Sequence, residues 1–161
     1  MATAAGQDGD RTMKKYKIAD KPTDALAMQH AALCFRRGGS DGVEVLLITS
    51  LETGRWVLPK GWPKKSEIGG DCALREAFEE AGVQGHLTGC APGLFFYDKI
   101  LPGGQAQPCC VAVHPVDVSY LAYRFPEMGL RQRQWASPLA ASALVAEPEL
   151  QALLAAFLIP S

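Results

Sequence analysis

The sequence carries almost no net charge: 16 Lys and Arg stand against 17 Asp and Glu, a formal −1 at pH 7. No overall field is left to recruit nucleic acid or an anionic membrane, so any basic site is local. No apolar run approaches the ~20 residues of a membrane span, and MATAAGQDGDRTMKK has no signal-peptide-like apolar stretch. The expectation is a cytoplasmic protein with neither DNA nor membrane among its partners. Cysteine is scarce and odd in number: Cys34, Cys72, Cys90, Cys109 and Cys110, with no C-x-x-C pair. That pattern argues against a disulfide framework and reads as reduced thiols, most of them small core residues. The three histidines, His30, His86 and His114, are far apart, and none has a zinc-ligand spacing.

What is present is an ordinary globular composition, 48% hydrophobic and 20% charged over 161 residues. That length implies one domain. Residues 1–25 read as a flexible polar arm with Lys14, Lys15 and Lys17, and 26–161 as the folded domain. Gln29–Phe35 and Val43–Thr49 are apolar runs separated by Gly-Gly-Ser-Asp-Gly, and so form a hairpin or neighbouring strands. Arg55–Leu58 is a third short strand, stopped by Pro59 and Gly61. Further strand-like segments cover His86–Leu87, Leu94–Lys99, Cys109–Val116 and Val118–Tyr123. Ser137-Pro138 and Pro148 open two late helices. On the last helix Leu150, Leu153, Leu154, Phe157 and Leu158 share a face that packs on the domain. The order predicts a mixed α/β domain with helices on both sides of a sheet.

The stretch from Gly61 to Val83 is unlike the rest. It begins in a lysine-flanked loop and becomes a helix, with Asp71 expected as its N-cap and Gly82 as its terminator. On the helical wheel Glu76, Glu79 and Glu80 share one face, while Leu74, Phe78 and Ala81 form the other and are expected to face the core. Glu76 and Glu80 are a like-charge i, i+4 pair, only partly compensated by Arg75 beside Glu79. Three crowded carboxylates call for a counter-charge, and hard oxygen ligands suit Mg²⁺, with Mn²⁺ as the alternative. Glu67 enters from the loop and could join through a second ion or water. Upstream lie Arg55, Lys60, Lys64 and Lys65. Cations beside an acidic helix are the arrangement a metal–polyphosphate substrate requires. Trp62, inside that loop, is a candidate for contact with a base or ring, while Trp56 and Trp135 read as core or loop anchors. Glu127, in a Phe-Pro-Glu loop, reads as a surface residue.

Gly61, five residues, Glu67, seven residues, Arg75-Glu76-Ala77, one residue, Glu79-Glu80, one residue, Gly82-Val83 resembles the signature of the Nudix hydrolases. AALCFRR, VEVLLITS, GRWVLPKG and RQRQW extend the likeness to the diphosphoinositol polyphosphate phosphohydrolase branch, whose members also cleave diadenosine polyphosphates. The resemblance implies an α/β/α sandwich with a mixed sheet over 26–161, and Mg²⁺-dependent hydrolysis of a diphosphate linkage in a small polyphosphate. It implies Glu76 and Glu80 as metal ligands, Glu79 as general base or further ligand, the Lys60 carbonyl as another ligand, and Arg75 orienting the glutamates. Gly61, Lys64, Lys65 and Arg131 are then substrate contacts. Inositol-processing relatives place basic residues where this chain has Ala27, Met28 and Gln29, and again near Gln105 and Gln107. That departure favours dinucleoside polyphosphates. Alternatives are a nucleotide-sugar, nucleoside triphosphate or RNA-end hydrolase of the family, or a non-catalytic ligand-sensing module. The chain is expected as a monomer or homodimer.

Overall fold

The computed structural model describes residues 27–89 and 93–160. The expected arm, residues 1–25, and Cys90 lie outside the described residues. One mixed sheet of eight strands organises the domain. β1 (Ala27–Arg37) and β2 (Val43–Thr49) form an antiparallel pair, the hairpin of the two arrangements the sequence allowed. β3 (Trp56–Val57) pairs with β2, and β4 (Lys60–Gly61) with β1. β5 (Val83–Leu87) and β6 (Gly93–Ile100) both run antiparallel to β7 (Ala106–Leu121). The centre of the sheet is the parallel pair β1–β7, from Ala27 opposite Cys109 to Phe35 opposite Asp117.

β7 is one strand where the sequence suggests two. The reason is its division of labour. Its first half pairs with β6 as far as Val113, and its second half with β5 from Val116 onward. Pro115, which has no N–H to donate, stands where the antiparallel partner changes. A strand absent from the sequence reading, β8 (Arg133–Ala136), pairs with β2 and sets Trp135 opposite Leu46.

Alternation along the strands sorts the core into two layers. Ala31, Leu33 and Phe35 of β1, with Val45 and Leu47 of β2, face α2 (Pro138–Leu144) and α3 (Pro148–Ala155). Ala32, Cys34, Leu46, Ile48 and Val116 face α1 (Gly69–Ala81). The result is the expected sheet between helical layers. Ser137 Oγ accepts from Ala140 N at 3.1 Å, so the serine–proline start of α2 is as read. Leu158 falls beyond the end of α3 and is exposed, off the packed face predicted for it. The four described cysteines are free and buried. No described helix is long and apolar enough to cross a membrane.

Two details of α1 depart from the wheel. Its N-cap is Ile68, with no side-chain cap, and Asp71 sits inside the first turn. The helix starts early because Gly69 and Gly70 press against the His30 ring and the Leu87 side chain, where a Cβ would collide. Asp71 still stands at the positive end of the helix dipole. The core face is Ala73, Ala77 and Ala81, all fully buried, with Leu74 half-buried against it. Phe78 is half-buried outside both core clusters. Small alanines let the helix settle close to the sheet, and this draws Glu80 inward to 8% exposure. Gly82, at φ 71°, ends the helix in the left-handed conformation as expected, its N–H returning to Phe78 O.

Candidate active site

β4 and α1 form the floor of the site. Lys60 is held in β4 opposite Ala31, which fixes its backbone in front of the helix. Its N–H donates to Glu80 Oε2 at 3.1 Å. The next residue must be glycine, because the carboxylate of Glu76 fills the place where a Cβ would project from Gly61.

Arg75 ties the loop to the helix. Its Nε and Nη2 donate to the two oxygens of Glu67, each at 2.9 Å, a bidentate pair. Nη1 reaches Glu76 Oε1 at 3.0 Å and Glu79 Oε2 at 3.3 Å, and Nη2 reaches Trp62 O at 3.1 Å. Glu67 also accepts from Lys64 N at 3.0 Å. The Arg75 guanidinium holds the Glu67 carboxyl down to about 2.

Glu76 and Glu80 behave in the opposite way. Burial raises Glu76 above the usual carboxylate range, although Arg75 opposes it. Burial also pushes Glu80 up to about 8, with Arg131 working against it and Glu76 with it. Arg131 Nη2 stands 3.5 Å from Glu80 Oε1 and 3.1 Å from Glu127 Oε1, and Nη1 donates to Thr49 O at 3.0 Å.

These groups open on one cavity of about 700 Å³. Lys60, Gly61, Trp62, Lys64, Arg75, Glu76, Glu79, Glu80 and Arg131 line it, bringing most of the predicted site together. Three predicted residues stay outside the wall. Arg55 turns to Glu147 at 3.6 Å, Lys65 is exposed, and Glu67 is occupied with Arg75 and the loop backbone. Trp62 is buried against Cys109 and Tyr97, and its buried Nε1 has no hydrogen-bond partner.

Among the other residues lining the cavity, Gln29, Glu52, Lys99 and Glu127 were not read as part of the site from the sequence. Lys99 shares the inward face of β6 with Phe95 and Tyr97, a two-residue alternation that was there to be read. Glu127 is no ordinary surface residue. It is half-buried, paired with Arg131, and its N–H donates to Glu79 O at 2.9 Å. Lys60 Nζ lies 4.7 Å from the Tyr97 ring centroid, and Tyr97 OH donates to Gln29 Oε1 at 2.5 Å. Burial lowers the Lys60 ammonium, the nearby Lys99 charge adds to this, and Glu80 resists it.

The NUDIX domain profile matches residues 28–156, most of the chain. The chain belongs to the Nudix family. Among curated Nudix relatives, diphosphoinositol polyphosphate phosphohydrolase 3-beta of Bos taurus is 48% identical over 58 residues, 35% of this chain and 34% of that protein. Diphosphoinositol polyphosphate phosphohydrolase 2 of Homo sapiens is 44% identical over 79 residues, 47% of this chain and 43% of the relative. The chain therefore matches between about a third and under half of the length of these relatives. Among solved Nudix structures, C. elegans Ap4A hydrolase superposes with a TM-score of 0.60 at 18% identity, covering 81% of this chain and 95% of that one. The NUDIX domain of Shewanella oneidensis NrtR, complexed with ADP ribose, gives 0.60 at 16% identity, over 88% and 94%. At those identities the likeness is one of fold.

The donors suit a hard divalent cation. Burial raises both the half-buried Glu76 and the buried Glu80; Glu76 raises Glu80 further, whereas a hydrogen bond with Glu80 lowers Glu76, and Gly61 leaves room for the Glu76 carboxylate against the backbone. Among the described residues no three acidic, histidine or cysteine side chains converge on one point, and Arg75 pairs with Glu67, Glu76 and Glu79 alike. Glu76 and Glu80 are the side chains that would meet such an ion, with backbone and solvent oxygens to complete a shell.

Proposed function

We propose that this Nudix domain hydrolyses a diphosphate linkage in a small polyphosphorylated substrate, with Mg²⁺ or Mn²⁺, and that dinucleoside polyphosphates are preferred to diphosphoinositol polyphosphates. One observation carries the reading: a single cavity has Glu76, Glu79 and Glu80 on one wall and Lys60, Lys64 and Lys99 elsewhere around it. Phosphate oxygens fit the lysines, and a cation fits the acids. The names of the curated relatives support a phosphohydrolase of this kind. The cationic positions that an inositol substrate would use at the start of β1 are instead Met28 and Gln29.

In this reading Glu76 and Glu80, with the backbone around Lys60, hold the cation. Bound there, it supplies positive charge to the phosphoryl oxygens. Glu79 lines the cavity with a third of its side chain exposed, and serves as the base. It takes a proton from the attacking water as the new P–O bond forms and the bridging P–O bond breaks. Arg75 fixes the direction of that carboxylate, and Glu67 fixes Arg75.

The test is phosphate release in Mg²⁺ from a panel of diadenosine polyphosphates, diphosphoinositol polyphosphates, nucleotide sugars and nucleoside triphosphates. The expected order puts diadenosine polyphosphates first. Inactivity on both of the first two classes overturns the substrate assignment. A Glu79→Gln variant that still folds and keeps full turnover overturns the assigned base.

A further inference from the structure

Outside the cavity, two imidazoles meet that the sequence separates by 84 positions. His30 is on β1 opposite Ala112, and His114 on β7 opposite Ala32. They are diagonal neighbours on one face of a parallel pair, the face that also receives α1. His30 Nδ1 lies 3.0 Å from His114 Nε2, with ring centroids 5.2 Å apart and planes inclined by 40°. Both rings are half-buried. The place of the His30 ring is made by Gly69, the first residue of α1, where any side chain would strike it.

We propose that His30 and His114 form a two-imidazole chelate for a borderline transition-metal ion such as Zn²⁺, separate from the carboxylate site that takes Mg²⁺. Two nitrogens on one tetrahedral Zn²⁺, each ~2.0–2.1 Å from it, stand about 3.3 Å apart. The observed 3.0 Å is short of this by a few tenths of an ångström. The two rings need only turn their lone pairs off the line between them. Burial lowers both imidazoles, His114 further through His30, while Glu67 opposes the shift on His30. Both are then in the neutral form that ligates. Imidazole selects Zn²⁺ over Mg²⁺, so the two sites discriminate between ions by ligand type. Among the described residues no third His, Cys, Asp or Glu completes the set, so water occupies the remaining positions and the affinity is modest. Because His30 bears on Gly69, an ion here braces the start of the helix that carries the catalytic glutamates.

The experiment is calorimetric titration of Zn²⁺ into the whole chain with Mg²⁺ in large excess, alongside ¹⁵N spectra of the histidine rings. One equivalent of Zn²⁺ is expected to bind and to shift His30 Nδ1 and His114 Nε2. His114→Gln is expected to weaken binding at least about tenfold, the least that loss of a direct ligand should cost. Melting curves check that this variant is folded, and His30→Gln provides an independent second loss. Unchanged affinity in folded His114→Gln, as thiols or glutamates would give, overturns the proposal. So do imidazole nitrogens that do not move, which leave the pair as an N–H···N hydrogen bond only.

Discussion

The carboxylate of Glu76 occupies the space that a Cβ on Gly61 would need. The glycine that ends the third short apolar run is thus required by a side chain on the helix. A Gly61→Ala variant is expected to displace Glu76 while keeping the fold. Misplacing such a group by about 1 Å can cost on the order of 10²-fold in rate. Turnover measured beside a melting curve checks this: a loss of that size with little change in Tm is expected. Full activity would show that the position of Glu76 is irrelevant.

Arg75 is expected to be irreplaceable by lysine. It makes a bidentate pair with Glu67 and reaches Glu76, Glu79 and the Trp62 carbonyl. An ammonium cannot reproduce that planar fork. A hydrogen bond to a charged group is worth about 1.5–3 kcal/mol. Arg75→Lys should lie near the low end of that range in urea unfolding, with activity nearly abolished.

Glu67 makes a pH-dependent contribution whose sign follows from its lowered carboxyl. Its folded value, about 2, lies below the ordinary 4.5. The stabilisation is therefore complete above about pH 4.5 and is lost as the pH falls toward 2. The stability difference between the parent and Glu67→Gln, from urea unfolding at several pH values, is expected to be constant above pH 5 and to shrink below 4.5. A difference that grows on acidification contradicts the pairing.

Glu80 should behave in the opposite sense in the absence of a cation. It is a buried acid beside another acid, and desolvation raises it. Glu80→Gln keeps an oxygen for the Lys60 N–H and removes the charge. The metal-free variant is expected to melt slightly above the parent at neutral pH. Millimolar Mg²⁺ should raise the Tm of the parent, and chelation by EDTA should reverse this, while the variant gains little. An equal Mg²⁺ shift in both would remove Glu80 from the cation site.

Ser137 offers a control far from the chemistry. Its hydroxyl caps α2 through Ala140 N. Ser137→Ala should cost about 1 kcal/mol and leave turnover unchanged.

The box from Gly61 to Val83 was legible because its order is local: helical period and fixed spacing place Arg75, Glu76, Glu79 and Glu80 without knowledge of the sheet. What escaped depends on distant partners. The early start of α1 is set by His30 and Leu87, which pack on Gly69 and Gly70. The alanine face of the helix was hidden because Leu74 and Phe78 are more hydrophobic, although closeness to the sheet favours the small residues. β8 was missed because Arg133 and Gln134 are exposed and only Trp135 and Ala136 turn inward. Glu127 reached the cavity through a loop whose path no period records, and His30 meets His114 only because β1 and β7 run side by side.

That parallel pairing also sets when the domain can assemble. Ala27 has no partner at the sheet centre until Cys109 has been made, and the full ladder waits for Asp117. Contacts of such long sequence separation slow folding and postpone it on the ribosome. A nascent chain that stops before β7 holds the glutamate-bearing helix but not the sheet beneath it, and its apolar strands stay open to chaperones or to aggregation.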